Sequence, residues 1–516
     1  MKRIIVHIAL FFIAFSAVGQ NPFSGSSKSV YWDAEVYYEK GDLLNAIDLF
    51  KSIYNEKPNN PQLNFYIGDS YFQLKKYNQA GLYLEKAKKI NDTQYELAYS
   101  NLHHGDYEAA SDVLKSYKWN PQSKFTEFEA RQLESNIANY KKFSNDPEVV
   151  NIINLGTAIN TEADEYVPLI SSDESLLLFT SKRDDGSGRD ALGRLYEDIY
   201  FSVNNQQGGF NWSIAQKIKG EVNTPLNDAC VGLAPDGNTM FLFRSNSNLI
   251  GGDLYESKFV DGEWSMPIIM SNKINGALSI EPSASISLDG KTFYFSSNKD
   301  GGFGGFDLYR VVKFPNGEWS EAVNLGAGVN TPLDDDAPFI HPDGKTLYFS
   351  SKGHANMGGF DVFKAQFKDG EWTNTRNLGA PTNTSKDDIY FTISANEKHG
   401  YYSSAKEGGF GVQDIYVIDY LEKSLHKSVI SVQVFIDDVP AFTNISLIDV
   451  KSKELVGVFR SHPETGNFIL LVNPDVKYEL IIGGEEFDNY SETISYTVEE
   501  LLSKEKKIIK LKGEGR

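Results

Sequence analysis

The stretch KDGGFGGFDLY, Lys299–Tyr309, has the glycine content of a loop that holds phosphate through its backbone N–H groups. A dinucleotide-binding loop needs the pattern G-x-G-x-x-G. Gly302 and Gly304 match the first two glycines of that pattern, but Asp307 stands where the third is required. The stretch therefore does not predict a dinucleotide site.

Two other segments end like a phosphate-binding P-loop, whose pattern is G-x-x-x-x-G-K-[ST]. Gly290-Lys291-Thr292 and Gly344-Lys345-Thr346 supply the last three positions, but Ser285 and Phe339 replace the leading glycine. The sequence also contains no G-x-S-x-G elbow, no H-E-x-x-H motif and no cysteine–histidine cluster. We therefore expect no catalytic residues and no bound cofactor, and the protein is predicted not to be an enzyme.

An acidic residue recurs eight positions before each of five turn sequences, and an asparagine recurs about five residues before each acid. The acids are Glu165, Asp228, Glu281, Asp335 and Asp388. The asparagines are Asn160, Asn223, Asn275, Asn330 and Asn383. Five carboxylates at one rim would attract a basic segment of a partner protein or a cation. Alternatively, each carboxylate accepts hydrogen bonds from the backbone N–H groups of its own loop and stabilises the fold. The sequence leaves both interpretations open.

These residues belong to a repeat of about 54 residues that also carries an aspartate before an aliphatic residue. That aspartate stands at Asp198, Asp253, Asp307, Asp361 and Asp414. Tryptophans keep the same spacing at Trp212, Trp264, Trp319 and Trp372. Such a period is the length of one four-stranded propeller blade, so five copies predict a β-propeller.

One repeat predicts four strands, at 337–341, 346–351, 360–367 and 371–378. A strand at Glu148 to Leu155 is expected to close the ring with the last blade, which gives five blades, with six as the alternative. The pattern P-x-x-x-x-DGK-x-x-x-FSS…GGFD resembles the PD40 repeat of TolB-like, WD40-like propellers. The resemblance implies a propeller over residues 150–421.

The N-terminal region repeats with helical periodicity instead. Ala46 and Ala80 lie 34 residues apart in matching segments, and a shorter third copy contains Ala110. Small residues at these positions let paired helices approach closely. The pattern resembles the tetratricopeptide repeat, a helix–turn–helix unit of this length. We predict repeats over 30–145, ending in a closing helix, with packing or a short peptide-binding groove as the role of their aromatic residues.

The C-terminal region changes to short alternating strands. They are predicted at Ile430 to Phe435, Asn444 to Asp449, Asn467 to Val472 and Tyr478 to Ile482. The run Glu464-Thr465-Gly466-Asn467-Phe468 resembles the carboxypeptidase regulatory-like domain, which implies a transthyretin-like β-sandwich over 428–512. The expected fold class is therefore a multidomain α plus all-β protein: helical solenoid, five-bladed propeller, sandwich.

Residues 1–19 are predicted to be a signal peptide, with basic Lys2 and Arg3, an apolar run and a small-residue cleavage site. Once Lys2 and Arg3 are removed, 48 basic and 70 acidic residues give a formal charge of −22. Such a surface disfavours nucleic acid and anionic lipid. The single cysteine, Cys230, excludes an intramolecular disulfide.

This order of segments resembles the periplasmic PorE-type proteins of the type IX secretion and gliding machinery of Bacteroidota. The resemblance implies a non-catalytic periplasmic scaffold that binds cell-envelope proteins near the outer membrane through its repeats and propeller face. Those proteins carry a lipobox cysteine and a C-terminal OmpA-like domain, which this sequence lacks, so contact with peptidoglycan is expected only through partners.

Two other functions remain alternatives. One is a propeller-based enzyme that processes glycans or peptides, which would need convergent acids in a deep pocket. The other is a calcium-stabilised module built on the five acids. The sequence does not identify the partner or the oligomeric state.

Overall fold

The computed structural model divides the chain into two compact units, the first comprising Met1–Asp146 and Ala355–Gly358 and the second Pro147–His354 and Gly359–Arg516. It describes residues 21–513 except 91, 172–173, 186–187, 191–192, 206–208, 236, 248, 250, 422–427, 463–464, 484–486, 488 and 504–505. The predicted signal peptide, 1–19, lies outside the described residues. Within the described part, no helix combines the length and the apolar character needed to cross a membrane.

The described part of the first unit is helical. Its α-helices are α1 (Gly25–Glu39), α2 (Leu43–Ser52), α3 (Pro61–Gln73), α4 (Tyr77–Ala87), α5 (Thr93–His103), α6 (Tyr107–Leu114) and α7 (Glu127–Asn145). Successive helices pack in pairs, α1 with α2, α3 with α4 and α5 with α6. Asp42, Asn60 and Asp106 cap α2, α3 and α6 by accepting a backbone hydrogen bond, which fixes where these helices begin.

Small residues lie between the paired helices, as the repeat pattern predicts. Ala46, Ala80 and Ala110 have no exposed surface. A Cβ atom on Gly68 would lie 2.8 Å from the side chain of Leu84, so α3 and α4 approach each other too closely for a larger residue. The close approach confirms that these positions serve helix packing.

The second unit begins with five antiparallel sheets. The first two contain β2 (Glu165–Ile170), β3 (Leu176–Ser181), β4 (Asp198–Val203) and β5 (Gln216–Lys217), then β6 (Asp228–Leu233), β7 (Thr239–Ser245), β8 (Gly252–Val260), β9 (Glu263–Trp264) and β10 (Ile268–Ile269). The next two contain β11 (Ala284–Ile286), β12 (Thr292–Ser297), β13 (Asp307–Val312) and β14 (Val323–Asn324), then β15 (Asp335–Ile340), β16 (Thr346–Ser351), β17 (Asp361–Lys368) and β18 (Glu371–Asn377). The last contains β19 (Asp388–Ile393), β20 (His399–Ser404), β21 (Asp414–Asp419) and β1 (Asn151–Asn154).

The first strands of the sheets form a closed circle. Strand β2 contacts β6, β6 contacts β11, β11 contacts β15, β15 contacts β19, and β19 returns to β2. Strand β1 pairs with β21, with Asn151 opposite Asp419, so the segment that precedes the first sheet completes the last. A ring of antiparallel sheets, four of them four-stranded and one five-stranded, resembles a β-propeller.

The asparagines that recur along the sequence fasten this ring. Each one accepts a hydrogen bond from the N–H of one residue and donates to the C=O of the same residue, at 2.7–3.0 Å. The pairs are Asn160 with Ile415, Asn223 with Ile199, Asn275 with Leu254, Asn330 with Leu308, and Asn383 with Val362. Each partner follows the repeated aspartate at the start of the third strand of a sheet, which is the first residue of that strand in four sheets and the second residue, Asp253, in β8. We call these contacts the asparagine clamps.

The rest of the second unit consists of two further sheets that share one apolar core. One contains β22 (Ser428–Ile436), β23 (Val439–Pro440), β26 (Asn467–Val472) and β29 (Lys507–Leu511), and the other β24 (Asn444–Asp449), β25 (Leu455–Arg460), β27 (Tyr478–Gly483) and β28 (Tyr490–Ile494). A short helix, α8 (Val498–Ser503), precedes β29. The sequence predicted β22, β24, β26 and β27 but missed β23, β25, β28 and β29. Strand β25 is largely exposed and does not alternate, whereas β28 and β29 alternate in burial over only five residues each.

Replacing Asn330 by alanine tests the asparagine clamps. The substitution leaves the N–H of buried Leu308 without its acceptor and removes one of two donors from its C=O, which still accepts from the N–H of Leu325. One unpaired buried N–H and one lost hydrogen bond to the C=O should lower the free energy of unfolding by about 1–3 kcal/mol. Chemical denaturation measures the change. Exposed Asn316, which bonds only to Glu318, is the matched control, and its alanine variant should stay within about 0.5 kcal/mol of the wild type. An unchanged midpoint for Asn330→Ala would contradict the clamp.

Candidate functional site

The five recurring acids lie at the start of the innermost strands, where the sequence predicts them, but beneath the surface. Glu165, Asp228, Glu281, Asp335 and Asp388 all have no exposed surface. In four of the five, the threonine four residues earlier donates both its backbone N–H and its hydroxyl to the carboxylate. Glu281 instead receives Ser279 Oγ and the N–H of Gly276.

A second donor reaches most of these carboxylates from the neighbouring strand. Ser181 donates to Glu165, Ser297 to Glu281 and Ser404 to Asp388, at 2.5–2.7 Å. Arg244 pairs with Asp228 at 2.5 Å, and Arg183 lies 3.1 Å from Glu165. Each carboxylate thus joins its own loop to the second strand of its sheet, which is the fold-stabilising arrangement.

The structure does not place these acids at an open negative rim. Among the described residues, no three histidine, cysteine or acidic side chains come together in a way that could hold a metal ion. A side chain without exposed surface can contact a partner only after its loop rearranges. Partner binding by the five acids therefore stays a prediction. The hydrogen bonds that the structure shows for them are made within their own sheets and loops.

Burial determines how these carboxyl groups titrate. Loss of solvent raises the pKa of Glu165, Asp228 and Glu281, and the hydrogen bonds they accept only partly offset that effect. The same cause raises the pKa of Asp335 to about 7 and that of Asp388 to about 6. The ring therefore holds carboxyl groups that change charge near neutral pH.

The glycine-rich stretch uses its backbone donors internally. The N–H groups of Phe303 and Gly304 donate to Asp307, at 2.5 and 3.1 Å. A Cβ atom on Gly304 would lie 2.2 Å from the carbonyl oxygen of Leu333, so only glycine fits there. Because these N–H groups are occupied by Asp307, they are not presented to a phosphate.

The cavity enclosed by the innermost strands is small. Its volume is about 30 Å³, close to the space that one water molecule occupies. Apolar residues such as Val167, Val231, Phe339 and Phe391 line much of it. Asp336 lies at the same strands and accepts hydrogen bonds from the hydroxyls of Ser283 and Ser296. The innermost strands thus present mainly apolar side chains to this cavity.

A larger crevice lies elsewhere in the second unit, where the first two sheets of the ring meet the strands after 427. Its volume is about 800 Å³. Residues of both parts line it, among them Phe201, Lys217, Trp264, Ile430 and Tyr496. This volume is typical of small-molecule sites, which makes the crevice a second location to consider.

The helical unit contains a polar cluster that sequence reasoning missed. Asp69 on α3 and Glu96 on α5 are both fully buried, and Lys124 from the α6–α7 connection pairs with both carboxylates, at 2.8 Å from Glu96. Tyr38 Oη donates to Asp69 at 2.5 Å, and so does the amide of Gln73. We call Tyr38, Asp69, Gln73 and Glu96 the acidic pocket. Its two acids are separated by 27 residues, and no motif links them to Lys124 in the sequence.

The charges in the acidic pocket are strongly coupled. Burial and the neighbouring Asp69 charge raise the pKa of Glu96 well above its usual range. Burial also acts to raise the pKa of Asp69, but the hydrogen bonds from Glu96, Lys124 and Tyr38 outweigh it and lower that pKa. The pKa of Lys124 is raised, because the two carboxyl groups outweigh the effect of burial on the ammonium group. The shared proton therefore resides on Glu96, and Asp69 and Lys124 carry opposite charges.

Comparison with known proteins supports the repeat interpretation of the helices. The family of the anaphase-promoting complex, cyclosome, subunit 3, matches residues 12–87, which agrees with tetratricopeptide-like repeats there. No curated protein matches the sequence.

Several solved structures are similar to about half of the sequence. They include XC5397, a gluconolactonase from Xanthomonas campestris (12% identity, TM-score 0.29, 52% of this protein and 89% of that one). Another is CoXyl43, a GH43 β-xylosidase/α-arabinofuranosidase from a compost microbial metagenome, in complex with xylotriose (13%, 0.35, 52% and 95%). A third is the α-L-arabinanase of Penicillium chrysogenum with arabinobiose (12%, 0.33, 53% and 100%). At these values the similarity does not bear on what this protein binds or does.

The raised pKa of Asp335 predicts a pH-dependent stability. An unfolded aspartate titrates near pH 4, whereas folded Asp335 titrates at about 7. The folded state therefore holds this proton more tightly, and the free energy of unfolding falls as pH rises from about 4 to about 7. The loss from this group should be on the order of 2–4 kcal/mol.

The Asp335→Asn variant should lack this loss, so its Tm should fall less than that of the wild type between pH 5 and pH 8. Calorimetry measures both. Exposed Asp300 provides the control, since Asp300→Asn should follow the wild-type pH profile. Parallel profiles for Asp335→Asn and the wild type would show that this carboxyl group does not titrate in the window.

Proposed function

We propose that this protein is a non-catalytic adaptor that binds other proteins through its helical repeats and through the loops of its ring. The observation that carries the proposal is the tetratricopeptide-like unit, with its paired helices and its family match over residues 12–87. Repeats of this kind present extended faces to partner proteins. The ring supports the non-catalytic part of the proposal. Its repeated carboxylates and the N–H groups of its glycine-rich loop already have hydrogen-bond partners within the protein.

We further propose domain assignments that follow the sequence pattern. The five sheets form a five-bladed PD40-type propeller over 150–421, for which the pairing of β1 with β21 is the support. The two sheets after it form a carboxypeptidase regulatory-like β-sandwich over 428–512, supported by their common core. The helical repeats extend over 30–145.

The proposed location is the periplasm, after export through the signal peptide 1–19. The proposed partners are cell-envelope proteins of an outer-membrane complex, of the type IX secretion or gliding kind, as the resemblance to PorE-type proteins implies. The formal charge of −20 supports protein partners with basic segments over nucleic acid.

A second candidate, an enzyme that processes glycans or peptides, has one observation in its favour, the crevice of about 800 Å³. Two of the carboxylates that line it already have structural partners. Glu174 accepts from His399 at 2.6 Å, and Glu500 accepts from the N–H of Thr497 at 2.7 Å. Convergent free acids would be needed for hydrolysis, so we favour the adaptor.

Photo-crosslinking in the native cell envelope tests the adaptor function. A crosslinking residue in place of Gln73, exposed on α3 beside the acidic pocket, should yield a discrete envelope-protein adduct that mass spectrometry identifies. The same residue in place of Glu108, exposed on α6, is the matched control and should yield at least several-fold less. Equal or absent adducts at both positions would contradict partner binding by this helical face.

The calcium alternative predicts a different result. A metal that binds the folded state raises its stability by mass action, so its removal should lower the Tm. Because the five acids already accept hydrogen bonds from their own loops, we expect the Tm to stay unchanged when EDTA is added to protein prepared in calcium. A decrease of several degrees, reversed by calcium but not by magnesium, would establish the calcium-stabilised module instead.

A further inference from the structure

We propose that the acidic pocket is a recognition site for a lysine or arginine followed by an aromatic residue, and that the protein's own Lys124-Phe125 occupies it until a partner segment of that kind displaces it. This inference rests on the proposed adaptor function and specifies the chemistry of its helical surface. The contacts of Asp69, Glu96 and Lys124 carry it.

The pocket is built to receive a cation. Both Asp69 and Glu96 are fully buried, yet the cation that contacts them comes from a connection rather than from the paired helices. Tyr38 and Gln73 donate to Asp69 and hold it in place. Glu96 shares its proton with Asp69, so the two acids together carry one negative charge, which the ammonium group of Lys124 balances. A buried carboxylate pair without a cation would be costly, which is why the site requires a basic occupant.

An aromatic position adjoins the cation position. Phe125 stacks on Tyr95 of α5, with ring centroids 3.9 Å apart and an interplanar angle of 22°. Its ring also meets Phe72 of α3 edge-on, at 6.1 Å. Lys124 Nζ lies 5.3 Å from the centroid of Phe125 and 5.9 Å from that of Phe72. The surface therefore has neighbouring positions that bind two consecutive side chains, a basic one and then an aromatic one.

The occupant reaches the pocket from the solvent side. The Lys124 side chain is 41% exposed although its ammonium group contacts two buried acids. Residues 115–126 contain no buried residue. Two hydrogen bonds to Asp92, from the N–H of Lys124 and from Tyr117 Oη, and a ring contact of Tyr117 with Tyr95 join this connection to α5 and the residue before it. Its hydrogen bonds to the ends of α6 and α7 do not involve the side chains of Lys124 and Phe125, so a partner segment that replaces these two side chains can leave them in place.

Charge favours such a partner. The protein carries a formal charge of −20, so a basic segment is attracted before it docks. Internal occupancy by Lys124-Phe125 would lower the apparent affinity of that segment by the fraction of time the pocket is filled. This competition would make the surface selective for segments that match both positions.

Fluorescence anisotropy on the full-length protein tests the proposal. The probe is a fluorescein-labelled peptide with the sequence of Asn120–Phe128, NPQSKFTEF. The double variant Lys124→Ser/Phe125→Ser vacates the pocket and should bind this peptide at least ten-fold more tightly than the wild type. Adding Asp69→Asn to the double variant removes the negative charge of the pocket and should weaken binding at least ten-fold. A peptide with methionine and alanine in place of lysine and the first phenylalanine should not bind.

Helical circular dichroism establishes that the vacated variant is folded. A folded variant that does not bind the peptide, or that binds the methionine–alanine peptide equally well, would overturn the proposal.

If the variant does not fold, an experiment on the wild type takes the place of the binding measurement. Mass spectrometry then measures the rate at which Lys124 is acylated, with and without an isotope-labelled peptide. Saturating peptide should raise that rate several-fold by displacing Lys124, and an unchanged rate would overturn the proposal. A discrete adduct at Gln73 together with no peptide binding would leave the adaptor function standing and remove only this recognition rule.

Discussion

Where the third strand of each ring sheet begins, one residue has a backbone N–H and C=O directed toward the connection that follows the sheet. An asparagine in that connection accepts from the N–H and donates to the C=O, which also accepts from a backbone N–H just after the outer strand of the sheet. The asparagine side chain thus supplies the acceptor for the N–H and a second donor for the C=O. Buried backbone groups must be paired, and a loop alone seldom offers a donor and an acceptor in the right positions. The amide of asparagine carries both. The clamp between Asn160 and Ile415 spans 255 residues and closes the ring together with the pairing of β1 with β21 and the contact of β19 with β2.

The carboxylates at the innermost strands depend on that arrangement. Each acid follows its asparagine by five or six residues, and the intervening turn brings a threonine or serine into hydrogen-bond distance. Hydrogen bonds to a charged acceptor are about twice as strong as neutral ones, but burial works against the charge. The raised pKa values of Asp335 and Asp388 record the balance between these two effects. The loops are thus stabilised by carboxyl groups whose charge depends on pH.

Much of this fold could be predicted because the same residue types recur at a fixed spacing and thereby identify the strands and turns of each repeat. The repeat of about 54 residues located the sheets, and the strands predicted at 346–351 and 371–378 are observed at Thr346–Ser351 and Glu371–Asn377. The orientation of the five acids could not be predicted, because a residue at the end of a strand can turn toward solvent or toward its own loop with equal sequence signal. The acidic pocket could not be predicted either, because Asp69 and Glu96 meet only through the packing of α3 and α5, and Lys124 reaches them from the α6–α7 connection.

The pairing of β1 with β21 has a consequence for biosynthesis. Synthesis and export both proceed from the N-terminus, so Asn151–Asn154 becomes available long before Asp414–Asp419, and the helical unit can fold while the ring is still missing its final partner. During that interval β1 is an unprotected strand edge, which invites association with other polypeptides. Any transcript truncated ahead of codon 414 would make this exposure permanent, and we expect such products to aggregate or be degraded rather than to persist as shortened rings.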